Sequence, residues 1–320
     1  MRCSCCVLKL ILIWTAWSTI EAQSVTSFGF VSTANQPTLV RNGDAVSLGG
    51  SVRLINGTVL AQSGVRGGSL FFHQPVRLDS GFDTTFDFRI DPSPALGTLF
   101  PGHGFAFVVH SDPTGVGFLK TTTGPGLGYG GGIETLAIEF DNALDATGDT
   151  GTMEISVHTN GPAAVTEDEA FSIGRAQSSV NFADGVLHTA RILVQNSMLQ
   201  VFLDGILELT TAYSPVLGGV FIGGAGVPGI ALLNGTEAFV GFTASATTNL
   251  GGVFSIQEPR ILNWSFTAVA QLDPCFTGNV SGTLGGVVDI LRVNGSAGDV
   301  FRTVTLSQHA ALAFSLGQPP

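Results

Sequence analysis

The sequence contains little charge of either sign. Lysine and arginine number 13 and aspartate and glutamate 24 in 320 residues, which gives a formal net charge of −11. Without a basic stripe the chain cannot displace counterions from phosphates, so no nucleic acid partner is expected. The low charge and the 44% of hydrophobic residues also exclude an intrinsically disordered chain. No long segment has a helical period with caps, so we predict that no helix carries function.

Cysteine is nearly absent once the first 22 residues are set aside. Cys3, Cys5 and Cys6 lie in that segment, and Cys275 is the remaining cysteine. An intrachain disulfide in the mature chain is therefore excluded, and burial of a core must hold the domain together.

Long apolar runs are also missing. Residues 1–22 carry Arg2 and Lys9, an apolar run from Leu10 to Trp17, and the small residue Ala22 as a cleavage point. This is the pattern of a secretory signal peptide. The run is too short to span a bilayer, and no later stretch approaches that length. We predict a secreted, extracellular protein without a membrane span.

Glycine and short alternating segments are abundant, with 43 glycines and 23 phenylalanines in the chain. Apolar residues alternate with polar ones in segments bounded by Gly, Pro, Asn or Asp, which is typical of strands. The spacing predicts an all-β antiparallel sandwich or jelly roll over residues 23–268, followed by a short β-rich C-terminal segment at 269–320 of unknown role. The clearest predicted strands are 82–90, 104–109, 136–140, 153–158, 190–194, 199–203, 239–244 and 261–266, with 285–294, 301–306 and 311–316 in the C-terminal segment.

An acidic loop joins two of these strands, in the passage AIEFDNALDATGDTGTMEISVH. Glu139 and Asp141 alternate on one face at the end of the first strand, Asp145 and Asp149 follow in the loop, and Glu154 begins the returning strand. Converging carboxylates repel one another unless a cation neutralises them, and Ca²⁺ prefers six to eight oxygen ligands. A calcium site and a solvated acidic turn both remain open on this chemistry.

This passage resembles the metal-binding signature of the legume-type (L-type) lectin family. That family has a concanavalin A-like jelly-roll sandwich, and the resemblance covers roughly residues 24–268 in the family's order of motifs. Such ordered agreement is more specific than any one motif. The other segments that carry it are LVRNGDAVSL (39–48), GSLFFHQPVRL (68–78), GHGFAFVVHSDP (102–113), GPGLGYGGG (124–132), VFLDG (201–205) and the closing strands within 240–266.

The resemblance implies a calcium site and a second site for a transition metal. Calcium would be held by Asp141, Asp145, Asp149 and the Ala143 carbonyl, and the second ion by Glu139, Asp141, Asp149 and Glu154. The family has histidine where Glu154 stands. An imidazole suits manganese or zinc, whereas a carboxylate is harder and adds charge, which favours calcium and puts the Mn²⁺-type site in doubt. His158, on the same strand face, is either a substitute ligand or a structural histidine.

The resemblance also implies a sugar site beside the calcium, and this chain departs from the family there. His103 stands at the family's Asp, Asp145 at its Asn, and Ala143 at its aromatic platform. Tyr129 is either a replacement stacking surface or a packed loop residue. The candidate carbohydrate-binding residues are His103, Gly128, Tyr129, Gly130, Asp145, Thr248 and Asn249, the last two in the segment that corresponds to the family's variable loop.

The expected function is binding of glycans or glycoproteins, without enzyme activity and with a homodimer as one possible assembly. A laminarinase-like glycoside hydrolase is one alternative, since Glu139 and Asp141 form its Glu-x-Asp. Ala143 and Leu144 leave the acid/base partner missing, however. A structural or adhesion module that keeps the sandwich and calcium without binding simple sugars is the other alternative.

Overall fold

The computed structural model describes residues 25–56, 66–91, 103–121, 124–143, 153–246 and 257–269, and three further strands at 279–281, 291–294 and 300–302. The chain divides into two compact units, Met1–Val269 and Ala270–Pro320. Within the second unit the described strands form one antiparallel sheet. The predicted strand at 311–316 lies outside the described residues.

Among the described residues, strands dominate and helical structure is limited to single 3-10 turns at Gly115–Gly117, Gly124–Gly126 and Glu169–Phe171. The strands are β1 (Ser27–Phe30), β2 (Leu39–Gly43), β3 (Val46–Leu48), β4 (Ser51–Arg53), β5 (Arg66–Phe72), β6 (Val76–Arg77), β7 (Phe82–Asp91), β8 (Phe105–His110), β9 (Thr135–Asp141), β10 (Glu154–Thr159), β11 (Ser172–Gln177), β12 (His188–Gln195), β13 (Met198–Leu203), β14 (Ile206–Ser214), β15 (Gly218–Val220), β16 (Gly226–Val227), β17 (Glu237–Ala246), β18 (Glu258–Ala268), β19 (Asn279–Ser281), β20 (Leu291–Asn294) and β21 (Val300–Arg302).

Two antiparallel sheets form a sandwich in the first unit. The back sheet has the order β16-β15-β14-β13-β12-β7-β18-β4-β3, with β1 also paired to β18. The front sheet has the order β11-β10-β9-β8-β17-β5-β2, with β6 also paired to β17. The predicted all-β antiparallel sandwich is therefore confirmed, and each strand predicted before residue 268 lies within an observed strand or overlaps it.

The core between the sheets is rich in aromatic side chains, and their burial stabilises the domain without a disulfide. On β7 the buried positions alternate with partly exposed ones, as the sequence pattern predicts. Phe86 lies with its ring centroid 4.8 Å from that of Phe242, and Phe105 stacks on Phe140 at 5.0 Å. Trp264 is fully buried and its indole N–H donates to Thr84 Oγ1 at 3.0 Å.

A second apolar layer covers the other face of the front sheet. Side chains of β5, β8 and β9 pack there against loop residues. The central front strands are consequently buried on both faces, as their nearly continuous apolar sequences favour. Any polar side chain on this face is enclosed and needs partners. The buried members of the layer are Phe71, Ala106, Val108, Phe118, Leu127, Tyr129, Ala137 and Val165.

Candidate functional site

The antiparallel pair β9–β10 places the candidate metal ligands on one face. Asp141 lies directly opposite Glu154, and Glu139 lies opposite Ser156. Both glutamates are buried, at 4% and 3% exposure. Like charges directly opposite each other destabilise an antiparallel pair unless something neutralises them. The end of this strand pair therefore concentrates negative charge, which favours a positive group nearby.

Asp145 and Asp149 lie outside the described residues, in the segment between Ala143 and Met153 that joins the two strands. Their part in a calcium site stays a prediction. On either side of that segment, Asp141 at the end of β9 lies opposite Glu154 at the start of β10.

The chain just after Asp141 is fixed by polar contacts. Asp141 Oδ1 accepts the Ala143 N–H at 2.8 Å, which closes a tight turn. The Asn142 side chain is fully buried and its Nδ2 donates to Gln257 Oε1, next to the start of β18. The Ala143 side chain is also buried, at 4% exposure. This turn holds the first carboxylate of the acidic loop in a defined place.

Glu139 accepts two hydrogen bonds and forms an ion pair with His158, whose Nε2 also lies 3.0 Å from Ser156 Oγ. Tyr129 Oη donates to Oε1 at 2.5 Å, Ser156 Oγ donates to Oε2 at 2.7 Å, and His158 Nε2 lies 3.2 Å from the same Oε2. His158 Nε2 is 3.7 Å from Glu169 Oε1, and Arg175 Nη1 is 3.2 Å from Glu169 Oε2. The network joins β9, β10, β11, a 3-10 turn and the Gly-rich loop 124–132.

The ionisation of this network follows from burial and mutual charge. Burial would raise the pKa of Glu139, but the charge and hydrogen bonds of His158, with those of Tyr129 and Ser156, lower it. Burial would lower the pKa of His158, yet Glu139 raises it. Burial and the Glu139 carboxylate raise the pKa of Tyr129. Burial, with Glu154 and Glu139, raises the pKa of Glu169 to about 7 against the opposing charges of His158 and Arg175. Glu139 is thus an ionised carboxylate inside the fold.

The Gly-rich loop packs tightly on the front sheet. Gly128 has φ +84°, and a Cβ there would lie 2.9 Å from Thr243 Cβ. Ser245 Oγ donates to the Gly124 carbonyl at 2.9 Å. The backbone N–H groups of Tyr129 and Gly130 both donate to the Gly126 carbonyl, at 2.9 and 3.0 Å. The N–H groups of Tyr129 and Gly130 are therefore used inside the loop, and Gly128 is buried against β17.

Tyr129 is not a stacking surface for a sugar, and that interpretation is wrong. Its side chain is 0% exposed, and its hydroxyl donates a hydrogen bond to Glu139 Oε1. The alternative, a packed loop tyrosine, is what the structure shows. The alternation of residues along β10 already placed Ser156 and His158 on the face of Glu154, so these two partners of Glu139 could have been found from the sequence. The contact from Tyr129 could not have been found in this way, because Tyr129 lies in a loop and not on the paired strands.

His103 lies beside the acidic strand. It is 9% exposed and precedes Gly104, at whose position a Cβ would lie 1.9 Å from the Phe140 carbonyl oxygen and 3.3 Å from Asp141 Cα. The fold therefore brings His103 close to Asp141 and Ala143, as the predicted site requires. Thr248 and Asn249 lie outside the described residues, after the end of β17.

No three His, Cys, Asp or Glu side chains in the described ranges converge in a way that could hold a metal ion. For the transition-metal position this is a poor fit of the residues present, because both Glu139 oxygens already accept hydrogen bonds and Glu154 replaces the imidazole that suits zinc. For calcium, two of the four implied ligands are not among those residues, while the opposed carboxylates of Asp141 and Glu154 are of the oxygen type that Ca²⁺ prefers.

The comparison with protein families identifies the class. A model described as legume lectin domain matches residues 24–216, and the chain belongs to that family. The L-type lectin-domain containing receptor kinase S.7 of Oryza sativa subsp. japonica is 27% identical over 201 residues, which is 55% of this chain and 26% of that protein. The chain thus spans about a quarter of this relative.

Solved structures show the same fold. Peanut lectin with a 9mer peptide has a TM-score of 0.56 and 21% identity, covering 79% of this chain and 100% of that one. The exoplasmic/lumenal domain of VIP36 in its Ca²⁺/Man3GlcNAc-bound form has a TM-score of 0.54 and 16% identity, covering 77% and 90%. A lectin from Bauhinia forficata in complex with GalNAc has a TM-score of 0.52 and 18% identity, covering 75% and 96%. The predicted lectin-family sandwich is confirmed.

Family membership also bears on catalysis. Legume lectin domains are non-enzymatic carbohydrate-binding domains, which agrees with the prediction that the chain is not an enzyme. The hydrolase alternative gains no support, since Glu139 is enclosed among Tyr129, Ser156 and His158 and is 4% exposed. No helix in the described part of the chain is long and apolar enough to cross a membrane.

Proposed function

We propose that this protein is a secreted, calcium-dependent glycan-binding lectin with an atypical sugar site. The observation that carries the proposal is the register of β9 and β10, which sets Asp141 opposite Glu154 at the rim of the front sheet. His103 and the Gly-rich loop lie over the same strands. A cation at that rim would relieve the repulsion and order the loop that meets a ligand.

The charge balance around these strands supports a bound cation. Burial makes each uncompensated carboxylate costly, so a surplus of negative charge on an enclosed face calls for a counter-ion. The carboxylates acting on the buried groups of this face are Glu139, Asp141, Glu154 and Glu167, while burial raises the pKa of Glu169 to about 7; the positive groups acting there are His158 and Arg175.

Calcium would be held by the carboxylates of Asp141, Asp145 and Asp149 and by the Ala143 carbonyl, with Glu154 opposite. When bound, the ion supplies positive charge and oxygen coordination that fix the loop after β9. The hydrogen bond from the Ala143 N–H to Asp141 Oδ1 keeps these two residues next to each other. The VIP36 structures, which are described as Ca²⁺- and mannose-bound, agree with this chemistry on the same fold.

The sugar site differs from the family pattern in its polar anchor. His103 takes the place of a carboxylate, and a hydrogen bond to a charged group contributes about 1.5–3 kcal/mol of the roughly 4 kcal/mol that millimolar binding represents. An imidazole that accepts and donates at different nitrogens selects a different arrangement of hydroxyls. We infer a ligand other than the simple mannose, glucose or galactose epitopes, presented on glycans or glycoproteins.

Calcium titration into metal-stripped protein tests the ion. We expect the melting temperature to rise by about 5–10 °C at a hundredfold excess of calcium over its dissociation constant, because a ligand that binds only the native state at that excess adds about 2.7 kcal/mol. Asp141→Ala should remove this rise. Asp83→Ala is the matched control, since Asp83 is paired with Arg191 on the back sheet. No rise in the unmutated protein would reject the calcium assignment.

A broad glycan array probed with and without EDTA tests the function. Signals that vanish with EDTA and return with calcium are expected, and His103→Ala should weaken them. An adhesion module is the second candidate function, favoured by the lack of an aromatic platform: Ala143 and Tyr129 are both buried. An array empty with and without calcium would leave that candidate and exclude the lectin. A homodimer, which would raise the avidity of weak sites, stays a prediction.

A further inference from the structure

The Glu139 carboxylate is used differently from what the family resemblance implies. It belongs to the set of residues predicted for a transition metal, yet both of its oxygens accept hydrogen bonds from the protein. One donor, Tyr129, comes from the Gly-rich loop; the other two, Ser156 and His158, come from β10. The carboxylate is therefore the meeting point of the loop and the sheet.

We propose that this chain has replaced the second, transition-metal site of its family by a hydrogen-bonded anchor in which Tyr129, Ser156 and His158 hold Glu139 and so fix the Gly-rich loop on the front sheet. The inference rests on the proposed function in one respect: it takes calcium to be the ion that this site still binds.

Three observations support the anchor. Tyr129 and Ser156 each donate to one oxygen of the buried Glu139 carboxylate, and His158 Nε2 lies 3.2 Å from the second oxygen. The family's histidine ligand is here Glu154, which removes the imidazole that suits zinc. An ion that prefers oxygen ligands, such as Mn²⁺, would find both Glu139 oxygens already bonded to Tyr129 and Ser156. His158 contributes through Nε2, since its Nδ1 has no partner among the described residues.

The anchor does locally what a metal ion does in such a site. It neutralises or solvates a buried carboxylate and ties two segments distant in sequence to one point. Tyr129 lies in the middle of the loop with its ring fully buried, next to Gly128, which packs closely against Thr243. The order of the loop then depends on the Tyr129 hydroxyl rather than on a second ion.

Manganese binding, followed by the loss of the free Mn²⁺ EPR signal, tests the missing site directly. In protein saturated with calcium, we expect the manganese to stay free at one equivalent per chain. A manganese ion held tightly beside saturating calcium, and lost in Glu139→Gln, would overturn the proposal. If calcium itself fails to bind, the proposed function fails, but free manganese in the same titration still supports the replacement of the second site.

The two tyrosines of the chain provide a matched pair for the anchor itself. Tyr129→Phe removes the hydroxyl bonded to Glu139 and keeps the ring, so the melting temperature should fall by about 3–12 °C. Amide hydrogen exchange in residues 124–132 should become faster. Tyr213→Phe is the control: Tyr213 is equally buried, but its hydroxyl neighbours Thr159 on β10 and not Glu139.

The metal content of the metal-saturated protein should not change in Tyr129→Phe, because the hydroxyl is not a metal ligand. Exchange in residues 124–132 that is equal in the wild type and both tyrosine variants would show that the hydroxyl does not fix the loop, and the anchor would be refuted. Since Tyr129→Phe keeps the buried ring, this measurement is made on folded protein even if Glu139→Gln does not fold.

Discussion

Replacing Gly104 with alanine is expected to destabilise the front sheet by about 3 kcal/mol or more, and to lower the melting temperature by roughly 6–12 °C. Gly104 has φ +84°, and a Cβ there would lie 1.9 Å from the Phe140 carbonyl oxygen. That oxygen is backbone in the middle of the sheet, so relief requires β8 and β9 to separate where they pair. Thermal unfolding measures the effect.

Gly131→Ala is the control for this substitution. Gly131 has φ +87°, nearly the same backbone conformation, but nothing lies within 4 Å of the Cβ it would gain. Only the conformational cost remains, about 1–2 kcal/mol. If the two variants melt at the same temperature, the close approach of Gly104 to Phe140 does not contribute to the loss of stability. Calcium-dependent glycan signals should fall in Gly104→Ala as well, because His103 is its neighbour.

The fold could be predicted because the relevant signals are local. The alternation of buried and partly exposed residues in β7 reflects one face toward the core, and it is visible in FDTTFDFRI without any knowledge of partners. The face shared by Glu139 and Asp141 follows from the same period of two. The structure adds the register of β9 and β10, which sets Asp141 opposite Glu154.

The use of Glu139 could not be predicted in the same way. Its partner Tyr129 is ten residues earlier, in a loop whose path depends on the glycines and on the second apolar layer. A glutamate close to aspartates in the sequence has the same pattern whether its carboxylate binds a metal ion or accepts a hydrogen bond from a tyrosine. The structure distinguishes the two cases, because a buried carboxylate needs hydrogen-bond partners from the protein, and here Tyr129 is one of them. The family resemblance names Glu139 as a candidate ligand, whereas its hydrogen bonds to Tyr129 and Ser156 are visible only in the structure.

Acid should destabilise the protein through a single buried histidine. His110, at the end of β8, is fully buried between aromatic rings: Phe118 stacks on it at 4.1 Å, Phe239 at 5.7 Å, and Phe71 meets it edge-on at 5.0 Å. Neither ring nitrogen has a hydrogen-bond partner among the described residues. Burial lowers the pKa of His110 to about 3 from an ordinary 6.5; the Asp112 charge, which raises it, is offset by Lys120.

The direction of the pH effect follows from these two values. Between pH 6.5 and pH 3 the unfolded chain binds a proton at His110 that the native protein does not, so stability falls as the pH falls through this window. Between pH 7 and pH 4 the loss amounts to about 3 kcal/mol. His110→Phe fills the same aromatic site without a titrating group, and should melt roughly 6–12 °C above the wild type at pH 4 while differing little at pH 7.

The measurement has to separate this histidine from the proposed calcium site, because acid also protonates calcium ligands and releases the ion. Melting curves in EDTA remove that contribution from both proteins. His110→Leu, which fills the site less completely, should be less stable than His110→Phe at both pH values but should show the same weaker dependence on pH. Equal slopes of stability against pH in the wild type and both variants would mean that the carboxylates, and not His110, govern unfolding in acid.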